Sequence, residues 1–360
     1  FAYDDLDRLT SAENVPAPGG GYATFNYQYD SIGNMTYKSD LGVMTYGLNA
    51  GPHALTGAGG YTYQYDANGN MIVGKNKTLT YDVENRLLKV NELGTITTFL
   101  YDGDGGRVKK NSINSITQQT QETLYIGSLF EKESDGTLRK HIFAGANRVC
   151  TINSTNSSNS TNYYHSDHLG SSSIITDSSG QQVSHYEYTP YGTVARNEGT
   201  DVAKHKFTGK ELDSTGLYFY GARYYDPGIG RFISADTIVQ APYDPQSLNR
   251  YSYCRNNPIN YVDPTGHSWK SFWKRWGGFF GAFTKAVFTG DWKSFGNVMI
   301  ATATAFVFSG FNPIVAAATY MTESVMDTEA GWRATEGVGK GLFDNVFGMR
   351  PGTAYIWSSI

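Results

Sequence analysis

The chain has 360 residues, 29 basic and 33 acidic, with a formal net charge of −4 and a pI near 6.0. That balance excludes a generally cationic nucleic-acid binder, and an apolar fraction of 39% excludes wholesale disorder. Two cysteines, Cys150 and Cys254, exclude a disulfide scaffold and a cysteine-based zinc site; they leave a single bridge between them open.

In chain order, the first feature is a start at Phe1 inside a strand-like repeat, with neither an initiator Met nor a signal peptide. This reads as the C-terminal piece of a longer protein. Residues 1–225 then return repeatedly to one phrase: alternating Tyr, Asp, a Gly/Asn turn and an apolar residue. The clearest copies are Tyr27-Gln28-Tyr29-Asp30-Ser31-Ile32-Gly33-Asn34-Met35 and Tyr63-Gln64-Tyr65-Asp66-Ala67-Asn68-Gly69-Asn70-Met71. Weaker copies begin at Tyr3, Tyr81 and Tyr101, so the spacing is irregular. Tyr at i and i+2 shares one face of a strand. Its ring buries apolar area while its hydroxyl seeks a polar partner. Asp ends the strand by bonding its own backbone, and Gly or Asn takes positive φ in the turn. Each unit predicts a strand–turn–strand module, and the modules must stack into a continuous sheet. The Ser/Thr/Asn tract Asn153–Asn162 reads as a loop.

These phrases resemble the YD repeats of the RHS family, as does Tyr164-His165-Ser166-Asp167-His168-Leu169-Gly170-Ser171. The ordered run Gly221-Ala222-Arg223-Tyr224-Tyr225-Asp226-Pro227, Gly230-Arg231-Phe232, Ser234-Ala235-Asp236, Leu248-Asn249-Arg250-Tyr251, Asn256-Asn257-Pro258 and Asp263-Pro264-Thr265-Gly266 resembles the RHS-associated core. The resemblance covers residues 1–267. It implies a mainly β fold of YD-repeat strands in a spiralling sheet, a full or partial shell, enclosing a variable C-terminal polypeptide that is often a toxin. A mostly α-helical C-terminal segment is expected to follow. The implied divisions are 1–184 for the YD array, 185–267 for the RHS-associated core with a self-cleavage motif, and 268–360 for cargo, linker or toxin.

Two carboxylates that share a site split their acidities, so one can activate water while the other carries a proton. A guanidinium beside them can hold one ionised and stabilise developing charge. By resemblance, RHS proteins and the similar C component of insecticidal toxin complexes use such a set to cut their own chain. Carried over, the set is Asp236, Asp263 and Arg223, acting as a single-turnover aspartic peptidase on the bond His267–Ser268. Three departures from the family pattern are Thr237 where Pro is usual, His267 where Leu is usual, and a longer connection around Val239–Ser247. The bland reading makes Asp-Pro-Thr-Gly an ordinary turn and Arg223 a solvated ladder residue. Asp226 and Asp244, both before Pro, are rival carboxylates. His165, Asp167 and His168 read as turn residues rather than ligands; no metal and no cofactor are expected.

Composition changes where the core signature ends. Of 27 Tyr, 25 lie in residues 1–267, whereas all six Trp lie beyond. Trp269, Trp273 and Trp276 fall on one helix face, suited to a membrane interface or to a packed wall. Ser294–Thr322 carries no charge but is interrupted by Gly310 and Asn312-Pro313. The expected function is therefore the C-terminal fragment of a secreted or surface-located bacterial toxin-delivery protein that releases its own tail. Its partners would be that tail as cargo, an immunity protein and a membrane met through 268–322, with no nucleic acid indicated. The rivals are a non-enzymatic wall-associated repeat protein and a membrane-active toxin in 268–360.

Overall fold

A computed structural model of the chain describes residues 1–47 and 51–267 and the backbone of 270–271. The helix expected from Trp269 onward is not what forms at Lys270–Ser271: these two residues are a strand paired antiparallel with Tyr261–Val262, because the backbone turns back onto that ladder. The remaining helices, the Trp face and the membrane contact expected over 268–360 lie outside the described residues.

The Tyr-Asp phrase folds as its chemistry dictates. In each copy the Asp Oδ1 accepts the amides two and four residues on: Ile32 and Asn34 for Asp30 at 3.1 and 2.8 Å, and Asn68 and Asn70 for Asp66 at 2.9 and 2.8 Å. Asp82, Asp102 and Asp167 repeat the pattern. The residue three beyond the Asp takes positive φ: +83° at Gly33, +85° at Gly69, and 63° at Asn85. The carboxylate thus satisfies two amides that the ladder cannot reach, and the turn reverses the strand. The Tyr that closes a strand donates its hydroxyl to a carbonyl one strand back. Tyr29 reaches Leu9 O, Tyr46 reaches Met35 O and Tyr101 reaches Leu87 O, each at 2.7 Å. The first Tyr of the pair behaves otherwise. Tyr27 and Tyr63 are 3% and 4% exposed, and their buried hydroxyls make no hydrogen bond, so their rings serve as apolar filling.

The modules pair with their chain neighbours as an antiparallel meander. One sheet takes seven strands from Ala2–Tyr3 to Tyr61–Thr62, the other fourteen from Gln64–Tyr65 to Val194–Gly199. The expected single sheet is therefore interrupted once, at Tyr63. Its amide turns back to Thr56 O (3.1 Å) and its ring covers Gly74, where a Cβ would come within 2.5 Å of it. The Ser/Thr/Asn tract is a second correction. Its ends belong to the paired strands Asn147–Ser154 and Asn159–Ser166, and only residues 155–158 form the turn. Backbone pairing across the ladder outweighs the tract's loop-like composition. Cys150 and Cys254 are free and buried.

One face of the meander carries a continuous apolar line: Leu9, Phe25, Met35, Met44, Leu55, Met71, Leu79, Leu87 and Phe99. Fully burying each of these side chains is worth about 1.5–3 kcal/mol. What covers the line is the segment after the meander. A small sheet of Glu211–Leu212, Tyr218–Phe219, Tyr224–Asp226 and Arg231–Phe232 contributes Leu217, Tyr224, Ile229 and Ile233 to the same core. Behind it, Tyr220, Tyr225, Phe232 and Tyr253 stack with centroids 4.6–6.0 Å apart. The Asn-rich stretch then reads the YD turns one by one. Asn257 donates to Asp7 O (2.7 Å), Asn249 and Asn256 to Gly33 O (2.9 and 3.0 Å), and Tyr251 to Gly69 O (2.8 Å). The core signature and the repeat are thus one structure. The signature's polar side chains satisfy carbonyls that the turns expose.

Candidate active site

Four of the five residues singled out in the sequence lie together; the fifth, Ser268, lies outside the described residues. Arg223 enters from the turn before Tyr224–Asp226. Asp236 follows the strand Arg231–Phe232, and Asp263 follows Tyr261–Val262. All three are nearly solvent-free, at 6%, 3% and 3% exposure, so the reading of Arg223 as a solvated ladder residue is overturned. The guanidinium lies over the Phe232 ring with its carbon 3.7 Å from the centroid. Its Nη2 faces both carboxylates, 2.9 Å from Asp236 Oδ2 and 3.4 Å from Asp263 Oδ2. Nη1 donates to Arg250 O (2.9 Å), and Nε donates to Gly266 O. Burial pulls the Arg223 pKa below its ordinary value, while the two carboxylates oppose that shift.

The two Asp residues are held differently. Asp263 Oδ1 accepts the amides of Thr265 (3.1 Å) and Gly266 (2.8 Å), the turn chemistry its motif announces. Asp236 Oδ1 accepts the Ile238 amide at 3.0 Å and lies 2.9 Å from His267 Nδ1. Gly266 has φ +81°, and a Cβ there would lie 2.9 Å from Tyr220 O and 3.1 Å from Arg223 N. Only glycine lets the chain pass between these backbone atoms and present His267 to Asp236. The His267 carbonyl oxygen, in turn, accepts from Gln240 Nε2 at 2.6 Å. Arg223, Asp236, Asp263, Gln240 and Cys254 line a polar cavity of about 30 Å³, room enough for a water molecule. Burial raises the Cys254 thiol well above its ordinary value, and Asp263 adds to the shift; at neutral pH it is not a thiolate nucleophile.

The rival carboxylates are engaged in turns. Asp226 Oδ1 accepts the Gly228 amide (2.8 Å). Asp244 caps Pro245–Leu248 through the Gln246 amide (3.1 Å) and pairs with Arg255 (2.6 Å). Asp167 caps its own turn, His165 bonds Thr176 (3.2 Å), and His168 bonds Ile259 O (3.1 Å). These three serve structure.

Sequence reasoning missed a buried charge network in the wall. Arg107 pairs with Glu211 and with Asp213 (2.7 Å), and Lys110 bridges the same two acids at 2.6 Å. Nearby, Glu131 lies 3.0 Å from both His141 Nε2 and Lys204 Nζ. Glu131, His205 and Glu211 bring one ligand atom each within 4.8 Å of one another. Both carboxylates are already neutralised by Lys204, Arg107 and Lys110, so a metal would have to displace protein cations. Arg107 and Glu211 are 104 residues apart, and no local pattern marks them.

A long antiparallel ladder on Tyr-Asp turns, closed by an aromatic and Asn-rich segment, defines a YD-repeat wall protein. The family model described as Teneurin YD-shell matches residues 1–259, and the chain belongs to that family. This bears out the expected kinship with RHS/YD shell proteins; the match ends before Asp263. Toxin subunit YenC1 of Yersinia entomophaga is 30% identical over 328 residues, covering 74% of this chain and 33% of that subunit. The tRNA nuclease WapA of Bacillus subtilis strain 168 is 30% identical over 197 residues, covering 53% of this chain and 8% of WapA. The chain therefore spans a third or less of the length of these relatives. Among solved structures, a TcdB2-TccC3-TEV crystal structure matches with TM-score 0.61 at 24% identity, covering 74% of this chain and 15% of that one. The Photorhabdus luminescens Tc holotoxin pore matches with TM-score 0.58 at 24% identity, over the same shares. At that identity the likeness is one of fold.

Proposed function

We propose that this chain is part of a secreted or cell-surface bacterial toxin-delivery protein that cuts itself at His267–Ser268. Residues 1–184 would supply a wall of a spiralling shell, 185–267 the cutting core, and 268–360 the released cargo. That cargo would be the chain's first partner, and an immunity protein its second. The observation that carries the reading is one guanidinium, Arg223, contacting Asp236, Asp263 and the Gly266 carbonyl at once. The catalytic pair and the peptide just before the expected bond are thereby tied to a single side chain.

The chemistry follows from these positions. Water in the polar cavity adds to the His267 carbonyl carbon while one carboxylate takes its proton. The tetrahedral centre collapses, the C–N bond breaks, and the Ser268 nitrogen leaves with the proton taken from water. The products are a His267 carboxyl terminus and a free Ser268 amine. Arg223 keeps negative charge favourable between two buried acids that would otherwise repel. Because the bond belongs to the same chain, proximity replaces substrate binding and one turnover suffices. The family's naming as a shell and the kinship with toxin subunits support cargo retention after the cut. Size-exclusion chromatography of the folded chain tests this. A two-fragment species that co-elutes, with the smaller fragment beginning at Ser268 by N-terminal sequencing, is the expected result. A single uncut chain refutes self-cleavage, and fragments that elute apart refute retention.

A further inference from the structure

The carbonyl oxygen of the bond proposed to break already has a donor. Gln240 Nε2 lies 2.6 Å from His267 O. Hydrolysis converts that oxygen from a neutral amide carbonyl into a charged oxyanion, so a donor fixed there binds the transition state more strongly than the ground state. Gln240 belongs to the connection that leads from Asp236 to Leu248–Asn249. That connection starts at the Asp236 turn, where Asp236 Oδ1 accepts the Ile238 amide at 3.0 Å. It is a built loop. The Asp244 amide bonds Ala241 O and the Ser247 amide bonds Asp244 O, both at 2.9 Å, and Gln246 Nε2 ties it to Leu6 O at 2.8 Å. A primary amide also stays a donor at every pH, which a carboxylate or imidazole does not.

We propose that Gln240 is a catalytic residue, the oxyanion donor of the self-cleavage reaction. This rests on the reading of His267–Ser268 as the cut bond. Gln240 is exposed to solvent, so its contribution belongs at the low end for an oxyanion donor: a loss of about 10- to 100-fold in rate on removal. Reversing the donor to an acceptor goes further than deleting it, because a carboxylate beside the developing oxyanion repels it.

Pulse–chase in cell-free translation measures the rate for full-length wild type, Gln240→Ala, Gln240→Glu and Asp236→Asn, with melting curves of the purified chains as the fold control. The expected result at pH 7 is wild type fastest, Gln240→Ala about 10- to 100-fold slower, Gln240→Glu slower again, and unchanged melting for both Gln240 variants. Acidification that protonates the introduced carboxyl then raises the Gln240→Glu rate relative to Gln240→Ala, which a merely anchoring side chain does not predict. A wild type that splits while both Gln240 variants split at its rate overturns this role and leaves self-cleavage standing. A wild type that never splits overturns both.

Discussion

Replacing Gly266 by Ala adds one methyl group where the chain has no room for it. The added Cβ would lie 2.9 Å from Tyr220 O, 3.1 Å from Arg223 N and 3.2 Å from Ala222 N. All three are backbone atoms, so no side chain can swing away. The φ of +81° adds strain of about 1–2 kcal/mol for any residue with a Cβ. Relief of the contacts must move the 220–223 turn or the 263–266 turn, each pinned by the Ala222 N to Thr265 O bond at 3.1 Å. The total cost is about 2–4 kcal/mol, which lowers the melting temperature of a domain this size by roughly 5–15 °C. Either movement also withdraws Gly266 O from Arg223 and His267 from Asp236, so the fraction cut falls along with stability. Thermal melting by near-UV circular dichroism, with gel analysis of the same samples, reads both effects. A Gly266→Ala chain that melts together with wild type and cuts as fast would refute the claim that this glycine threads the site.

Three further outcomes follow from the same contacts. Arg107→Met leaves Glu211 and Asp213 buried with Lys110 as their remaining partner among these cations, and should cost about 3–5 kcal/mol in urea denaturation; a change below about 1 kcal/mol contradicts the network's role. Burial holds His53, His141 and His205 below the ordinary imidazole value. The unfolded chain therefore binds protons near pH 6.5 that the folded chain refuses, and stability falls as pH drops through that value. Melting temperature should decline from about pH 7.5 to about pH 5.5, and a flat or rising profile contradicts the assignment. Glu131, Glu133 and Glu211 are held below the usual carboxylate range, against a desolvation that opposes the shift; Lys204 and His141 favour the ionised form of Glu131, Lys204 and Arg139 that of Glu133, and Arg107 and Lys110 that of Glu211. A second loss is thus expected below about pH 4.5, and its absence in the same titration sinks that part.

Local chemistry was legible in the sequence because each repeat closes on itself. Asp30 and Asp66 bond amides no more than four residues away, and Gly33 and Gly69 answer a φ demand set by the same turn. The candidate site was legible only through an ordered motif. Arg223 and Asp263 are 40 residues apart, and no periodicity joins them. What stayed hidden depends on which strand lies beside which. Arg107 meets Glu211 because the capping sheet docks across the meander. Tyr27 and Tyr63 lose their hydroxyl partners because their rings are buried as hydrocarbon. The Asn153–Asn162 tract looks like a loop until its neighbours Leu138 and Arg139 pair with it as strand. Gln240 gave no signal at all, since a single amide in a long connection is ordinary until its bond to His267 O is seen.

The central claim is that Asp236 and Asp263 cut the chain after His267. Intact mass of freshly folded wild type beside Asp236→Asn and Asp263→Asn tests it most directly. The expected result is a wild type split between residues 267 and 268, with both variants whole and melting as cooperatively as wild type. An unsplit wild type, or a split that survives in either variant, contradicts the claim and returns Asp-Pro-Thr-Gly to the status of a turn.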